Sequence, residues 1–365
     1  MRWSWKIGRI AGIQLDVHAT FFVLLAWIAL ASYRVSGTLS AAAQAVAFIV
    51  AIFLSVVLHE LGHALMARRY GVKTRGITLL PIGGVARLER IPDRPAQELA
   101  IALAGPAVTV ALVILLYAVL RLMGTATDPR AVVPGTELPF LARLMWVNVI
   151  LAAFNLLPAF PMDGGRVLRA ALAMRTDHAR ATEVAARVGK MFALLFGILG
   201  LFVLGNPFLV IIALFVWIGA AGEAMAAQIK AVVADVPVAS VMATDIRELS
   251  PGDRLSAAIE QVQAGFQDDF PVTDDHTIAG ILTREALLKA LADGKGDLTV
   301  GDVMQRTFVT AEADEPLERA MTRLQGCHCR TLPVVRDQSL VGLLTMEKIG
   351  EFVAIEAASR KASAR

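Results

Sequence analysis

The chain changes character near residue 230, with long apolar runs before this point and mixed polar and apolar sequence after it. A helix of about 20 apolar residues crosses the hydrocarbon core of a bilayer. We therefore expect a polytopic α-helical membrane domain over residues 1–230 with about six transmembrane helices. The runs that predict them are 19–33, 41–70, 97–122, 140–157, 191–204 and 207–227.

Two segments of this part have the pattern of strands. Residues 10–18 alternate between apolar and polar positions after a basic and aromatic start, which indicates a short strand or hairpin at the membrane interface. Residues 76–88 are apolar, partly β-branched and broken by Gly83 and Gly84, and are too short for a spanning helix. They predict a short β or re-entrant element.

Composition agrees with a membrane protein. The 365 residues are 56% hydrophobic and 18% charged, and the mean hydropathy is +0.61, which excludes a soluble domain of ordinary make-up. The formal net charge of +3 is too small to indicate a nucleic-acid partner, and we expect none.

Basic residues are unevenly divided between the two sets of predicted loops. One set holds only Arg34, Arg121 and Arg130, and the other set holds sixteen basic residues. Because Lys and Arg accumulate on the cytoplasmic side, we expect a multi-pass protein of the inner or plasma membrane with both termini in the cytoplasm. The basic residues of the inner set are Arg2, Lys6, Arg9, Arg68, Arg69, Lys73, Arg75, Arg87, Arg90, Arg94, Arg166, Arg169, Arg175, Arg180, Arg187 and Lys190.

Residues 231–365 contain an internal repeat of about sixty residues. Val241-Met242, Phe270-Pro271-Val272 and the segment 280–283 recur as Val303-Met304, Leu332-Pro333-Val334 and the segment 342–345. Each copy has the order strand, helix, two strands, helix. We therefore expect a soluble α/β module made of two similar halves, at about 237–295 and 300–355.

The strongest chemical signal is His59-Glu60-Leu61-Gly62-His63, in the last third of the second apolar run. Residues four apart lie on one face of a helix, so His59 and His63 can bind one metal ion. Glu60 can lie beside that ion without binding it and accept a proton from water. A carboxylate inside an apolar helix is costly and is therefore itself a sign of function. This spacing predicts a hydrolytic Zn²⁺ site.

Such a site needs a third protein ligand. Asp163 is the best candidate, because it follows two prolines and precedes two glycines in a segment that must break the helix near the membrane surface. His178, Glu223 and His18 are weaker candidates, each with an ordinary interfacial or loop role available. An aspartate at this position can also act as a plain helix cap.

Two asparagines in the fourth apolar run call for different interpretations. Asn155 lies near the helix end, where its amide can hold the backbone of a bound peptide or stabilise an oxyanion. Hydrogen bonding to a neighbouring helix is the alternative for Asn155 and the preferred role for Asn148.

Together, His59-Glu60-Leu61-Gly62-His63, Asn155, Asp163-Gly164 and Gly105-Pro106 resemble the site-2 protease family of intramembrane zinc metalloproteases. The chain is most similar to the six-span prokaryotic branch with a C-terminal pair of cystathionine-β-synthase-type (CBS) domains. The resemblance implies that His59, His63 and Asp163 bind zinc and that Glu60 is the general base.

The resemblance to the site-2 protease family also implies a substrate class. This class is single-span membrane proteins, such as an anti-sigma factor or a membrane-tethered regulator, and cleavage releases a fragment into the cytoplasm. The Gly83-Gly84 segment resembles the family's membrane-entering strand. A free strand edge there can pair with an unwound substrate helix, although a hairpin that merely covers the site is equally consistent with the sequence.

CBS pairs often bind adenine nucleotides and form homodimers. An acidic or amide residue contacts ribose in the family pattern, and the corresponding positions here hold Ala286 and Lys348. Nucleotide binding is therefore in doubt, whereas dimerisation and control of access to the protease are compatible with these residues.

A membrane transport protein is the alternative to a protease. The His/Glu cluster is also compatible with a CBS-regulated ion transporter or channel, although no inverted repeat among the spans supports this alternative.

Cys327 and Cys329 are the only cysteines, and we expect them to be thiols with ordinary packing or exposure in a reducing compartment.

Overall fold

Long helices make up most of the chain as far as residue 233. The computed structural model describes residues 3–81, 83–88, 94–124, 139–234, 236–265, 267–275, 277–327 and 329–363. The chain forms two compact units, Met1–Ala227 and Gln228–Arg365. The first helices are α1 (Ala19–Ser36), α2 (Leu39–Arg69), α3 (Pro95–Leu122), α4 (Phe140–Asn155), α5 (Asp163–Ala173), α6 (His178–Ile198) and α7 (Pro207–Val233).

Five of these helices are long and apolar enough to cross a membrane, namely α1, α2, α3, α7 and α6 with its continuation to Val203. The remaining predicted span, residues 140–157, corresponds to α4, an apolar helix of 16 residues. This agrees with the predicted polytopic helical architecture.

The segment before the fifth span differs from the sequence expectation, which treated it as a basic loop. It contains α5 and the first turns of α6. Asp177 is the N-cap of α6, and its side chain accepts a hydrogen bond from the backbone N–H of Arg180 at 2.8 Å. This is the usual role of an aspartate before the first turn of a helix.

A small sheet accompanies the helices. Its strands lie in the order β1 (Ser4–Ile10), β2 (Ile13–His18), β3 (Thr74–Leu80) and β4 (Gly83–Leu88). The β3–β4 pair is antiparallel, and β2 and β3 run parallel. Ile13 and Ile77 pack on Ala64 of α2, so the sheet lies against the histidine-bearing helix. The predicted short β element is therefore present, with β4 at the sheet's edge.

The second unit is an α/β module built on one five-stranded sheet. Its strand order is β5-β6-β9-β8-β7, where the labels follow the chain. Two apolar cores lie on it, one around Phe270 and Leu282 and one around Leu332 and Leu344, which are equivalent positions of the two repeats. The elements are α8 (Leu255–Gln263), β5 (Phe270–Asp274), β6 (Thr277–Leu282), α9 (Arg284–Ala292), α10 (Val300–Val303), β7 (Ala311–Glu312), α11 (Leu317–Gly326), β8 (Thr331–Arg336), β9 (Ser339–Thr345) and α12 (Met346–Ser363).

The two cysteines differ from the expectation of free thiols. Cys327 and Cys329 are joined in a disulfide, and both pack against the core of the second repeat. The intervening His328 lies outside the described residues.

Candidate metal centre

The two histidines of α2 lie side by side and are almost fully buried. Each is 7% exposed, and their Nε2 atoms are 3.1 Å apart. The Nδ1 atom of His63 is 2.7 Å from the carbonyl oxygen of Ile101. Since a carbonyl only accepts, Nδ1 of His63 carries the proton, and in the neutral ring Nε2 keeps its lone pair.

A hydroxyl group orients the other histidine in the same way. Nδ1 of His59 is 2.9 Å from Oγ1 of Thr109, and Thr109 in turn donates to the carbonyl oxygen of Gly105 at 3.4 Å. Thr109 is then free to accept a hydrogen bond from Nδ1–H of His59. Both Nε2 atoms are thus available as ligands on one side of the pair.

Asp163 reaches the histidines from the first turn of α5. The chain leaves α4 at Asn155 and passes a cis peptide bond before Pro161. The Asp163 side chain is 13% exposed, and its Oδ2 is 3.0 Å from Nε2 of His59 and 3.2 Å from Nε2 of His63. Two separate elements therefore bring three potential ligand atoms together.

These atoms suit a zinc ion. Four ligands at about 2.0–2.1 Å in a tetrahedron are separated by roughly 3.3–3.4 Å, close to the 3.0–3.2 Å separations of the present atoms. Two imidazole nitrogens and one carboxylate oxygen are also the donor types of hydrolytic zinc sites, in which a fourth position is left for water. Among the described residues, His59, His63 and Asp163 form the group of side chains whose ligand atoms lie close enough together to hold a metal ion.

Glycines let neighbouring backbones approach this cluster. A Cβ atom on Gly105 of α3 would lie 2.2 Å from Nε2 of His63 and 2.7 Å from Nε2 of His59. A Cβ atom on Gly62 would lie 2.7 Å from the carbonyl oxygen of Ala104. Only the absence of these side chains allows α2 and α3 to pack at this distance.

Glu60 lies on the neighbouring side of α2 and is half-buried. It lines the same cavity as the three potential ligands, and so do Gly83 and Gly84 of β4. A Cβ atom on Gly84 would lie 2.8 Å from Cγ of Glu60, so the β4 backbone directly contacts the glutamate side chain.

The cavity has a volume of about 410 Å³, and Asn155 also lines it. Asn148 is fully buried, and its amide nitrogen donates to Oγ of Ser55 at 3.2 Å and to the carbonyl oxygen of Leu144 at 2.9 Å. Asn148 thus makes the hydrogen bond to a neighbouring helix that the sequence predicts for it, and it also lines the cavity.

The weaker ligand candidates lie elsewhere. His18 accepts a hydrogen bond from the backbone N–H of Thr20 at the start of α1. Glu223 pairs with Arg169 at 3.1 Å, and Nδ1 of His178 is 3.9 Å from Glu98. None of the three belongs to the cluster around Asp163 within the described residues.

Sequence reasoning missed the ion pair at the back of α5. Arg169 is buried and donates to Glu98 at 2.7 Å and to Glu223 at 3.1 Å, and its guanidinium lies 5.1 Å from the centre of the Phe160 ring. The signal that was available is Glu98 itself, a carboxylate at the start of an otherwise apolar run.

Comparison with known proteins gives consistent results for both units. Residues 47–140 and 135–196 match the model of peptidase family M50. Residues 238–293 and 300–354 each match the model of the CBS domain.

Two curated relatives match most of the chain. Zinc metalloprotease MJ0392 of Methanocaldococcus jannaschii is 32% identical over 312 residues, covering 86% of each chain. Rip3 of Mycobacterium tuberculosis is 31% identical over 374 residues, covering 97% of this chain and 93% of its own. A solved structure, the site-2 protease from Methanocaldococcus jannaschii, is 37% identical and covers 61% of this chain and 95% of its own, with a TM-score of 0.45.

The family model and the curated relatives bear on the two classes of function that the sequence leaves open. They favour a metalloprotease over an ion transporter. The chain therefore belongs to peptidase family M50, the site-2 protease family of membrane zinc metalloproteases, and carries a C-terminal pair of CBS domains.

Proposed function

We propose that this enzyme hydrolyses a peptide bond within or near the transmembrane helix of a single-span membrane protein. The observation that carries the proposal is the convergence of His59, His63 and Asp163, with Glu60 beside them in a cavity among apolar helices. Membrane-tethered regulators, including anti-sigma factors, are the substrate class that the family resemblance favours.

In the proposed site, His59, His63 and Asp163 would hold one zinc ion. A zinc ion held there supplies a Lewis acid that polarises a carbonyl group and lowers the pKa of water. Glu60 accepts a proton from the attacking water and delivers it to the departing nitrogen. The oxygen of the water joins the carbonyl carbon while the carbon–nitrogen bond breaks.

Substrate binding is assigned to groups that surround the cavity. Asn155 holds the substrate backbone or the developing oxyanion by hydrogen bonding. β4, which begins with Gly83 and Gly84, is an edge strand in the order β1-β2-β3-β4. It can accept an unwound substrate segment as an added strand, which exposes a peptide bond that a helix would hide.

We further propose that both termini are cytoplasmic and that the released fragment enters the cytoplasm. The CBS pair then lies on the side of release, where dimerisation or control of access would affect cleavage. Adenine nucleotide binding has little support from the residues, since Lys348 pairs with Glu351 at 2.9 Å at one of the expected ribose positions.

The direct test of this function uses Glu60→Gln, which keeps the size of the side chain and removes its basicity. Purified wild type should cleave a single-span model substrate in detergent, and the variant should retain zinc while its cleavage falls by about 100-fold or more. Zinc content is measured on both proteins. If both hold zinc and the variant cleaves as fast as wild type, the assignment of Glu60 as general base is wrong.

A further inference from the structure

Arg166 is the one arginine or lysine among the described residues that line the cavity beside the histidines. Two carboxylates, Glu60 and Asp163, line the same cavity. Arg166 follows Asp163 by three positions on α5 and therefore lies near the same face of that helix.

Arg166 is half-buried, and its guanidinium makes no ion pair or hydrogen bond with another described residue. Arg169, one helical turn further, is buried against Glu98 and Glu223 instead. A partly desolvated charge without an ion-pair partner among the described residues raises the free energy of the free protein, and this cost is relieved when a ligand supplies a partner.

The chemistry of hydrolysis creates such a partner. When the carbon–nitrogen bond breaks, the acyl fragment keeps the oxygen of the water and becomes a carboxylate, while the amine fragment takes both protons of the water and becomes an ammonium group. This carboxylate forms beside Glu60 and Asp163. Like charges repel strongly in a poorly solvated cavity, whereas a guanidinium binds a carboxylate through two parallel hydrogen bonds.

We propose that Arg166 binds the new terminal carboxylate of the acyl product. This inference rests on the proposed function, because the carboxylate arises from peptide hydrolysis. By holding negative charge where it forms, Arg166 acts as a further catalytic residue that contacts the substrate, separate from the metal ligands and from Glu60.

The test compares two fluorescent peptides of the acyl fragment of a cleaved model substrate, one ending in a free carboxylate and one in a carboxamide. Kd values are measured on the full-length, zinc-loaded protein in detergent. Wild type should prefer the carboxylate, and Arg166→Gln should reduce that preference by about 10- to 100-fold, as expected for a hydrogen bond between charged groups. Arg166→Lys should keep part of the preference, because lysine keeps the charge without the paired donors.

Arg175→Gln is the matched control, since Arg175 is exposed just beyond the end of α5. It should leave the preference unchanged, and zinc content should be equal in all four proteins because neither arginine is a ligand. A preference that survives Arg166→Gln, or one that Arg175→Gln reduces as much, overturns the inference.

The same experiment separates this inference from the proposed function. If wild type cleaves the model substrate and the carboxylate preference does not depend on Arg166, the function stands and the inference fails. If wild type cleaves no substrate but the preference still depends on Arg166, the anion-binding assignment stands and the proposed function fails.

Discussion

At the scale of single residues, the site depends on groups that select which nitrogen of each histidine faces the third ligand. For His63 this group is the backbone carbonyl of Ile101, which no side-chain substitution removes. For His59 it is the hydroxyl of Thr109. Thr109 is buried and 5% exposed, so solvent cannot readily take its place.

We therefore expect Thr109→Val to weaken zinc binding by about 10- to 100-fold, the usual effect of losing a partner behind a metal ligand. Valine matches threonine in shape, so the change removes the hydrogen bond and little packing. Competition with a chelator measures the affinity, and Thr109→Ser, which retains the hydroxyl, is the control. Equal affinity in Thr109→Val and wild type would mean that packing alone orients His59.

At the scale of elements, Asp163 reaches the histidines only if α5 keeps its place. The back of this helix is held by Arg169, which joins Glu98 of α3 and Glu223 of α7. Both Arg169 and Glu98 are almost fully buried. Removing one member of a buried ion pair leaves an uncompensated charge, which is more damaging than losing the whole pair.

We expect Arg169→Met to lower the free energy of unfolding by about 3–5 kcal/mol and to reduce zinc retention along with it. Thermal unfolding in detergent and zinc content are the measurements. Arg187→Met is the matched control, because Arg187 pairs with Glu183 on the exposed side of α6, and exposed pairs contribute about 0–1 kcal/mol. Adding Glu98→Gln to Arg169→Met should restore part of the loss, and equal effects of the two arginine substitutions would contradict the clamping role of Arg169.

The three candidate metal ligands could be predicted from the sequence, whereas the residues that hold them in place could not. His59 and His63 are four residues apart on one helix, so their proximity follows from helix geometry alone. Asp163 could be inferred because a hydrolytic site needs a third ligand and a broken helix needs a reason. Arg169 and its partners are 71 and 54 residues apart in sequence, and no local pattern relates them. Thr109 was missed for the same reason.

The position at which a helix begins is also difficult to predict from the sequence. Charged residues interrupt the hydrophobicity of the basic segment before the fifth span, so the hydropathy pattern predicts a loop there. In the structure α6 begins at His178, with alanines buried on one face and arginines on the other. Two of these alanines, Ala185 and Ala186, pack in the apolar cluster around Phe160. Amphipathic packing on neighbouring helices, which a hydropathy run does not record, decides where this helix begins.

At the scale of the whole molecule, the direction in which the cavity opens depends on the orientation of the chain in the membrane. The loops on one side carry nearly all the basic residues of the first unit, and this imbalance predicts cytoplasmic termini. The exposed turn between α5 and α6, where Thr176 lies, then faces the cytoplasm. The exposed end of α1, at Ser36, then lies outside.

Single cysteines placed at these two positions test the orientation. In a background of Cys327→Ser and Cys329→Ser, Ser36→Cys should react in intact cells with a membrane-impermeant maleimide. Thr176→Cys should react only after the membrane is permeabilised. The two sites form a matched pair because both are exposed, polar and next to a helix end. The reverse labelling pattern would place Arg166, the zinc ligands and the release of product on the outer side, and would separate the CBS pair from any cytoplasmic signal.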